Sequence, residues 1–64
     1  MTGPTEEPEV FIECVLNGGF LKVTAIDARS GTEACVFGPP NAREILTRNA
    51  MAKLAYVLKK EVGP

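Results

Sequence analysis

The chain has 64 residues, which is enough for one domain and too few for two. Seven basic and eight acidic residues leave a net charge of −1, unlike a general nucleic-acid binder or a protein that docks on anionic membranes. With no histidine and only two cysteines, the sequence offers no structural zinc site, and we expect no metal or cofactor.

A chain of this size buries only about 60% of the surface that its unfolded form exposes, so we expect it to gain stability by oligomerisation. Residues 1–8 are acidic, contain two prolines and have no apolar residue after Met1, which predicts a disordered lead-in to a single domain at 9–62. They do not resemble a signal peptide, and no apolar run approaches the ~18 residues of a membrane span. We therefore expect a cytoplasmic bacterial protein with reduced thiols.

Two β-branched and aromatic runs, at about 9–16 and 19–27, flank the pair Asn17-Gly18. An Asn-Gly pair between apolar runs favours a hairpin with a two-residue type I′ turn. That turn would place Leu16 opposite Gly19 and Glu13 opposite Lys22, which makes an ion pair across the two strands.

A third strand is predicted at about 32–37, after a turn at 28–31 in which Gly31 can adopt a left-handed conformation. The four-residue loop would pair Ala25 with Ala34 and Val23 with Val36. Because prolines cannot donate to a strand ladder, Pro39 and Pro40 should end the sheet. The prediction is a three-stranded antiparallel meander.

Alternation along the strands sorts the side chains onto two faces of this sheet. One face is almost wholly aliphatic: Val10, Ile12, Cys14, Leu21, Val23, Ala25, Ala34 and Val36. The other, which we call the Phe face, carries Phe11, Val15, Phe20, Ile26, Cys35 and Phe37 among polar residues. A solvated sheet face does not usually hold three phenylalanines, so this face should need a partner.

Residues 41–61 predict the single helix, with Asn41 as N-cap and Glu44 three residues later. One apolar stripe should pack on the aliphatic face: Leu46, Ala50, Met51, Leu54, Val57 and Leu58. The fold class is therefore α+β, a two-layer βββα domain in which one helix covers one sheet face. The alternative is that the helix covers the Phe face and leaves the aliphatic face open.

The uncovered face predicts a homodimer, formed by face-to-face packing of two sheets or by domain swapping at the Pro39-Pro40 hinge. A second line along the helix could add a helix–helix contact or could be an ordinary solvent-exposed surface: Ile45, Asn49, Ala52 and Tyr56. The predicted function is a small, non-enzymatic interaction or assembly module.

No set of residues indicates catalysis. Cys14 and Cys35 have no histidine to activate them and no Cys-x-x-Cys spacing, so they are interpreted as buried structural residues. Glu9 and Glu13 lie on one strand, where an ion pair at the sheet rim is expected rather than acid–base chemistry.

Three antiparallel strands followed by a helix resemble the second half of a double-stranded-RNA-binding domain. In that family a lysine cluster at the start of the helix contacts phosphates. The corresponding stretch here, Pro39 to Glu44, has one base and one acid, and the family's first helix has no counterpart. Binding of structured RNA is thus the alternative function, with Arg29, Arg43, Arg48 and Lys53 as its candidate residues.

A second resemblance covers nearly the whole domain. It rests on Glu9–Glu13, Leu21–Asp27, Gly31–Glu33, Gly38-Pro39 and Ala50–Lys60. This pattern is similar to a family of short alphaproteobacterial proteins of unknown function. The resemblance implies a small cytoplasmic bacterial protein and implies no activity.

Overall fold

The computed structural model describes residues 9–62, and the predicted lead-in at 1–8 lies outside them. Three strands, β1 (Val10–Asn17), β2 (Phe20–Asp27) and β3 (Glu33–Gly38), form one antiparallel sheet in the order β1-β2-β3. A short 3-10 turn (Pro40–Ala42) leads into the helix α1 (Arg43–Val62). The predicted α+β meander with one C-terminal helix is confirmed.

The β1–β2 hairpin turns at Gly18 and Gly19, one residue later than predicted. Gly18 has φ +62°, whereas Asn17 keeps a negative φ and pairs with Phe20. A single positive φ at the first turn position is the pattern of a type II′ turn, which requires glycine there, so the predicted type I′ turn is wrong.

The shifted turn moves each β1 residue to a partner two positions further along β2. Glu13 therefore lies opposite Thr24, and Lys22 is only its diagonal neighbour, so the predicted Glu13–Lys22 pairing is wrong. The observed register instead places Leu16 opposite Leu21 and matches apolar side chains across the strands. Because the shift is by two, every side chain stays on its predicted sheet face.

The β2–β3 register is as predicted, with Ala25 opposite Ala34 and Val23 opposite Val36. Gly31 has φ +80°, which confirms its left-handed position in the connecting loop. Inside that loop the N–H and Oγ–H of Ser30 donate to Asp27 Oδ2 at 2.9 Å and 2.7 Å. These two bonds, aided by the charge of Arg29, hold the pKa of the Asp27 carboxyl below its usual value despite opposition from burial.

The helix packs on the aliphatic face, as predicted. The buried core consists of apolar residues from β2, β3 and α1: Leu21, Val23, Ala25, Ala34, Leu46, Ala50 and Leu54. Val57 and Leu58 are half-buried, but Met51 is exposed, so the predicted stripe is one residue too wide. The alternative in which the helix covers the Phe face is excluded by this packing.

The start of the helix differs from the prediction. Asn41 lies inside the 3-10 turn, and Pro39 precedes that turn with an extended backbone and no side-chain cap. The turn is closed by the Ala42 N–H, which donates to Pro39 O at 3.0 Å. Proline at the first turn position supplies a preset φ, so the chain enters α1 without an asparagine cap.

The helix runs back along β3 and covers only part of the sheet. Its first turns place Leu46 against Gly38, where a Cβ would lie 2.7 Å from Leu46 Cδ2. Further along, Lys53 Nζ donates to Cys35 O at 3.1 Å. The helix packs mainly against β2 and β3, and β1 is exposed along most of its length.

Candidate interaction surface

The six predicted residues of the Phe face do lie on one side of the sheet, opposite the helix. Phe11 and Ile26 are paired across β1 and β2 at one end of the face. Val15, Phe20 and Phe37 lie at the other end, around Lys22. Between the two ends lies the half-buried Cys35, which pairs with Thr24.

Most of this apolar surface is open. Phe11 and Phe37 are 55% and 58% exposed, and Phe20 and Val15 are also exposed. The rings of Phe20 and Phe37 meet edge to face, with centroids 5.9 Å apart and planes at 73°. This pair gives the face a preformed aromatic ridge, a geometry that adds stability beyond the area buried.

The charged residues of the Phe face are unevenly placed. Glu33 pairs with Ile26 at the Phe11 end, Glu13 pairs with Thr24 at the centre, and Lys22 lies between Val15 and Phe37 at the other end. The face therefore carries negative charge at its Phe11 end and centre, and the positive charge of Lys22 at the other end. At the centre of the sheet Thr24 is buried, and no side-chain polar atom that is buried among residues 9–60 lacks a hydrogen-bond partner.

The second predicted contact lies elsewhere. Ile45, Asn49, Ala52 and Tyr56 are all exposed on the helix surface that faces away from the core. Lys60 Nζ lies 5.7 Å above the Tyr56 ring, within the range of a cation–π contact. Because the sheet separates this line from the Phe face, one two-chain contact cannot use both.

The four basic residues considered for RNA binding are not gathered. Arg29 lies in the β2–β3 loop, at the end of the sheet away from the start of α1, where Arg43 lies. Lys53 donates to the edge of β3, whereas Arg48 is exposed and lies about 140° around the helix from Lys53. Arg43 and Arg48 both line a shallow groove along the helix, with Glu44 between them.

That groove has a volume of about 550 Å³ and is open to solvent. Its lining residues all come from the first half of α1: Arg43, Glu44, Thr47, Arg48 and Met51. At 100° per residue, Thr47 and Met51 lie on the flank opposite Lys53, the flank that overhangs the uncovered β1. The groove contains no nucleophile paired with a base.

The two cysteines are free, and both are half-buried. Cys14 lies on the helix side of β1, whereas Cys35 lies on the Phe face of β3, as the strand alternation predicted. A disulfide within one chain cannot join them, because their side chains lie on opposite faces of the sheet and β2 lies between their strands. The prediction that both cysteines are buried is wrong, because each side chain keeps part of its surface exposed.

The two edges of the sheet are a feature that the sequence analysis missed. In an antiparallel ladder every second residue exchanges backbone hydrogen bonds with its partner strand. The Ala28 N–H donates to Glu9 O, so in the observed register the odd-numbered residues of β1 are the ones hydrogen-bonded to β2. The backbone groups of the even residues, Val10, Ile12, Cys14 and Leu16, therefore point away from the sheet. At the other edge, Cys35 points outward in the same way, and its carbonyl accepts from Lys53.

The hydrogen bond from Lys53 to Cys35 O could be predicted only if the direction of the helix across the sheet were known, because nothing in the local sequence links the two residues. The uncovered β1 edge had a sequence signal: one helix is too narrow to cover three strands. A strand spacing of about 4.8 Å and a helix diameter of about 10 Å leave one strand outside.

Within the part of the chain that the structure describes, no helix is long and apolar enough to cross a membrane. In the same residues no group of three or more potential ligands is placed to hold a metal ion.

Comparison with known proteins gives one match. Neither the curated proteins nor the solved structures contain a match to this chain. A family model described as a domain of unknown function, DUF6898, matches residues 7–61, which covers all three strands and nearly all of the helix. The chain therefore belongs to the DUF6898 family.

Proposed function

We propose that this protein is a small, non-enzymatic interaction module that self-associates through its Phe face. The observation that carries the proposal is the exposure of Phe11, Phe20 and Phe37 on the sheet face opposite the helix. Large exposed apolar patches on small proteins mark contact sites. A domain of this size also gains a large fraction of its stability from any further burial.

The placement of Glu33 and Lys22 favours a second copy as the partner. If two Phe faces meet with their strands antiparallel, the Phe11 end of one copy lies over the Phe37 end of the other. Glu33 of each copy then comes close to Lys22 of the other, so acidic and basic ends meet twice about a two-fold axis. A parallel arrangement would bring like charges together.

The alternatives predicted from the sequence have less support. The line of Ile45, Asn49, Ala52 and Tyr56 carries a single large aliphatic side chain, so it offers less apolar surface than the Phe face. Exchange of the helix at Pro39-Pro40 would preserve the core contacts between chains and leave the Phe face open. For RNA binding, the basic residues lie in separate places among the described residues, with no continuous patch to follow a phosphate backbone.

The proposal is tested by measuring the molar mass with sedimentation equilibrium at micromolar concentrations. We expect the wild-type chain to associate, and the double variant Phe11→Ser/Phe37→Ser to shift strongly toward smaller species. Both side chains are already exposed, so the variant should keep the circular dichroism spectrum of the folded domain.

Ile45→Ser is the matched control, because Ile45 is 58% exposed, as Phe37 is, but lies on the outer surface of the helix. It should associate like the wild type. A stable wild-type monomer would refute the proposal, and dissociation caused by Ile45→Ser alone would move the contact to the helix.

A further inference from the structure

We infer that the outer edge of β1 pairs antiparallel with β1 of a second copy, which joins two three-stranded sheets into one continuous sheet. This inference rests on the proposed self-association and names a second contact for it. The Phe face would join sheets face to face, whereas β1 would join them edge to edge.

The first support is the difference between the two edges. On β3, the outward carbonyl of Cys35 already accepts a hydrogen bond from Lys53. A lysine at an edge strand is a common device that blocks pairing with another chain. On β1, hairpin geometry directs the backbone groups of four residues outward, and among the described residues these groups have no hydrogen bond to a side chain of α1 or β3.

The second support is the exposure of β1 on both of its faces. Leu16 is 64% exposed and Ile12 is also exposed on the helix side, while Phe11 and Val15 are exposed on the Phe face. If the β1 edge faced water, we would expect the rest of the chain to cover at least part of one face of β1. A strand added beside β1 would extend both surfaces and bury side chains above and below.

The composition of the N-terminal residues is poorly suited to supply that strand. Outside the described residues, the N-terminal segment has eight residues, including Pro4 and Pro8, and no apolar residue after Met1. The two prolines lack the N–H that a ladder requires, and polar side chains would not cover Ile12 and Leu16. A second β1 has the required length, apolar pattern and outward groups.

The sequence of β1 also selects a register. A two-fold axis at Glu13 would place two Glu13 carboxylates directly opposite each other, which is unfavourable. An axis at Ile12 would leave Leu16 without a partner. An axis at Cys14 pairs Ile12 with Leu16 of the second copy and Glu13 with Val15, so it avoids the direct charge clash and covers the most exposed leucine.

With both contacts formed, two joined sheets would pack through their Phe faces into an assembly of four chains. The two contacts can be broken separately. Ile12→Pro removes an outward N–H and places a ring on the β1 edge, without removing a bond to β2. Ile12→Val keeps the N–H and serves as its control.

Sedimentation equilibrium on the full chain distinguishes the outcomes. We expect Ile12→Pro to convert four-chain assemblies into two-chain assemblies, and Phe11→Ser/Phe37→Ser to do the same by the other route. Should Ile12→Pro leave the mass unchanged while the Phe variant lowers it, the edge contact is refuted and the proposed function stands. If Ile12→Pro lowers the mass and the Phe variant does not, the edge contact is supported and the Phe face is refuted as a contact surface. A wild-type monomer overturns both.

A second variant guards against misfolding by proline. Leu16→Lys leaves the backbone intact and changes a side chain that the single chain already exposes, so its fold should be retained. It should weaken association as Ile12→Pro does. Met51→Lys is the control, because it also replaces an exposed apolar side chain with a lysine but lies on the helix. It should not weaken association. If both lysine variants associate like the wild type, the edge contact is refuted.

Cross-linking reports the register. Opposed residues of a bonded antiparallel pair have Cα atoms about 5.5 Å apart. In a Cys35→Ser background, a short bis-maleimide should therefore link two chains through Cys14 in high yield, and Ile12→Pro should reduce that yield several-fold. No Cys14-dependent linked dimer under conditions where the chain is associated would exclude this register.

Discussion

Leu54 and Leu16 show how differently the two halves of this molecule are built. Leu54, on α1, is 2% exposed between β2 and β3, whereas Leu16, on β1, is 64% exposed although it lies on the same side of the sheet as the helix. The difference arises because one helix covers two strands and the third strand lies outside it. A single small domain thus contains one half with a closed core and one half that still has apolar surface to bury.

The largest effect should come from Leu54→Ala. Removing most of a buried leucine side chain costs about 2–5 kcal/mol of unfolding free energy. That is comparable with the total stability that a domain of this size commonly has. Urea denaturation followed by circular dichroism should find Leu54→Ala largely unfolded, whereas Leu16→Ala, measured at dilution, should lie within about 0.5 kcal/mol of the wild type. Equal losses for the two leucines would show that β1 is covered after all.

A smaller effect is expected where β3 meets the helix. In Gly38→Ala the new Cβ would lie 2.7 Å from Leu46 Cδ2 and 3.2 Å from Leu46 Cγ, and Leu46 is buried. Overpacking of this kind costs about 1–3 kcal/mol. Gly19→Ala is the control, since a Cβ there meets nothing within 4 Å and φ is not positive. If Gly19→Ala lowered the free energy of unfolding as much as Gly38→Ala, the effect would come from replacing any glycine and not from the contact with Leu46.

Lys53→Met tests the difference between the two edges directly. The methionine keeps the apolar stem but cannot donate to Cys35 O, and loss of this exposed bond should cost below about 1 kcal/mol of stability. The larger consequence should be on association, because the β3 edge then resembles the β1 edge. Light scattering should show species larger than those of the wild type. Lys59→Met, further along the helix, should not produce them.

The smallest effect concerns the loop after β2. Because the pKa of Asp27 is lowered in the folded chain, its contribution to stability is present above the ordinary value of 3.8 and is lost as pH falls through the folded value. The difference in stability between wild type and Asp27→Asn should therefore shrink on acidification. Chemical denaturation at neutral and acidic pH measures it, with Glu33→Gln as the control for removal of a strand carboxylate. A pH-independent difference would contradict the role of the Asp27 charge.

Sequence reasoning identified the layers of this fold because alternation and helical spacing act over many residues. The two sheet faces, the β2–β3 register and the burial of Leu46, Ala50 and Leu54 all follow from such patterns. It fails at Asn17 and Asn41, because a single residue type does not by itself fix a turn or a helix cap. At Asn17 two following glycines offered another turn, and at Asn41 the preceding prolines began a 3-10 turn instead.

The candidate surface was predicted in part for the same reason. The composition of the Phe face depends only on alternation, so its residues were correct even though the β1–β2 register was not. The separation of the Phe face from the Ile45–Tyr56 line, and the contrast between the two sheet edges, depend on where the helix lies. That placement is decided by tertiary packing at Gly38 and Cys35, which leaves no local pattern in the sequence.

The position of the helix over β2 and β3 also bears on the order in which the chain gains and loses structure. Among the described residues, every buried core residue lies between positions 21 and 54, so β2, β3 and α1 can form a nucleus from contacts that are close in sequence. β1 joins this nucleus through its hydrogen bonds to β2 and contributes no fully buried core residue. In native-state hydrogen exchange at a dilution where the chain is monomeric, the outward amides of Ile12 and Cys14 should exchange first and those of β2 last. β1, which is synthesised before β2 and β3, would then be protected after them.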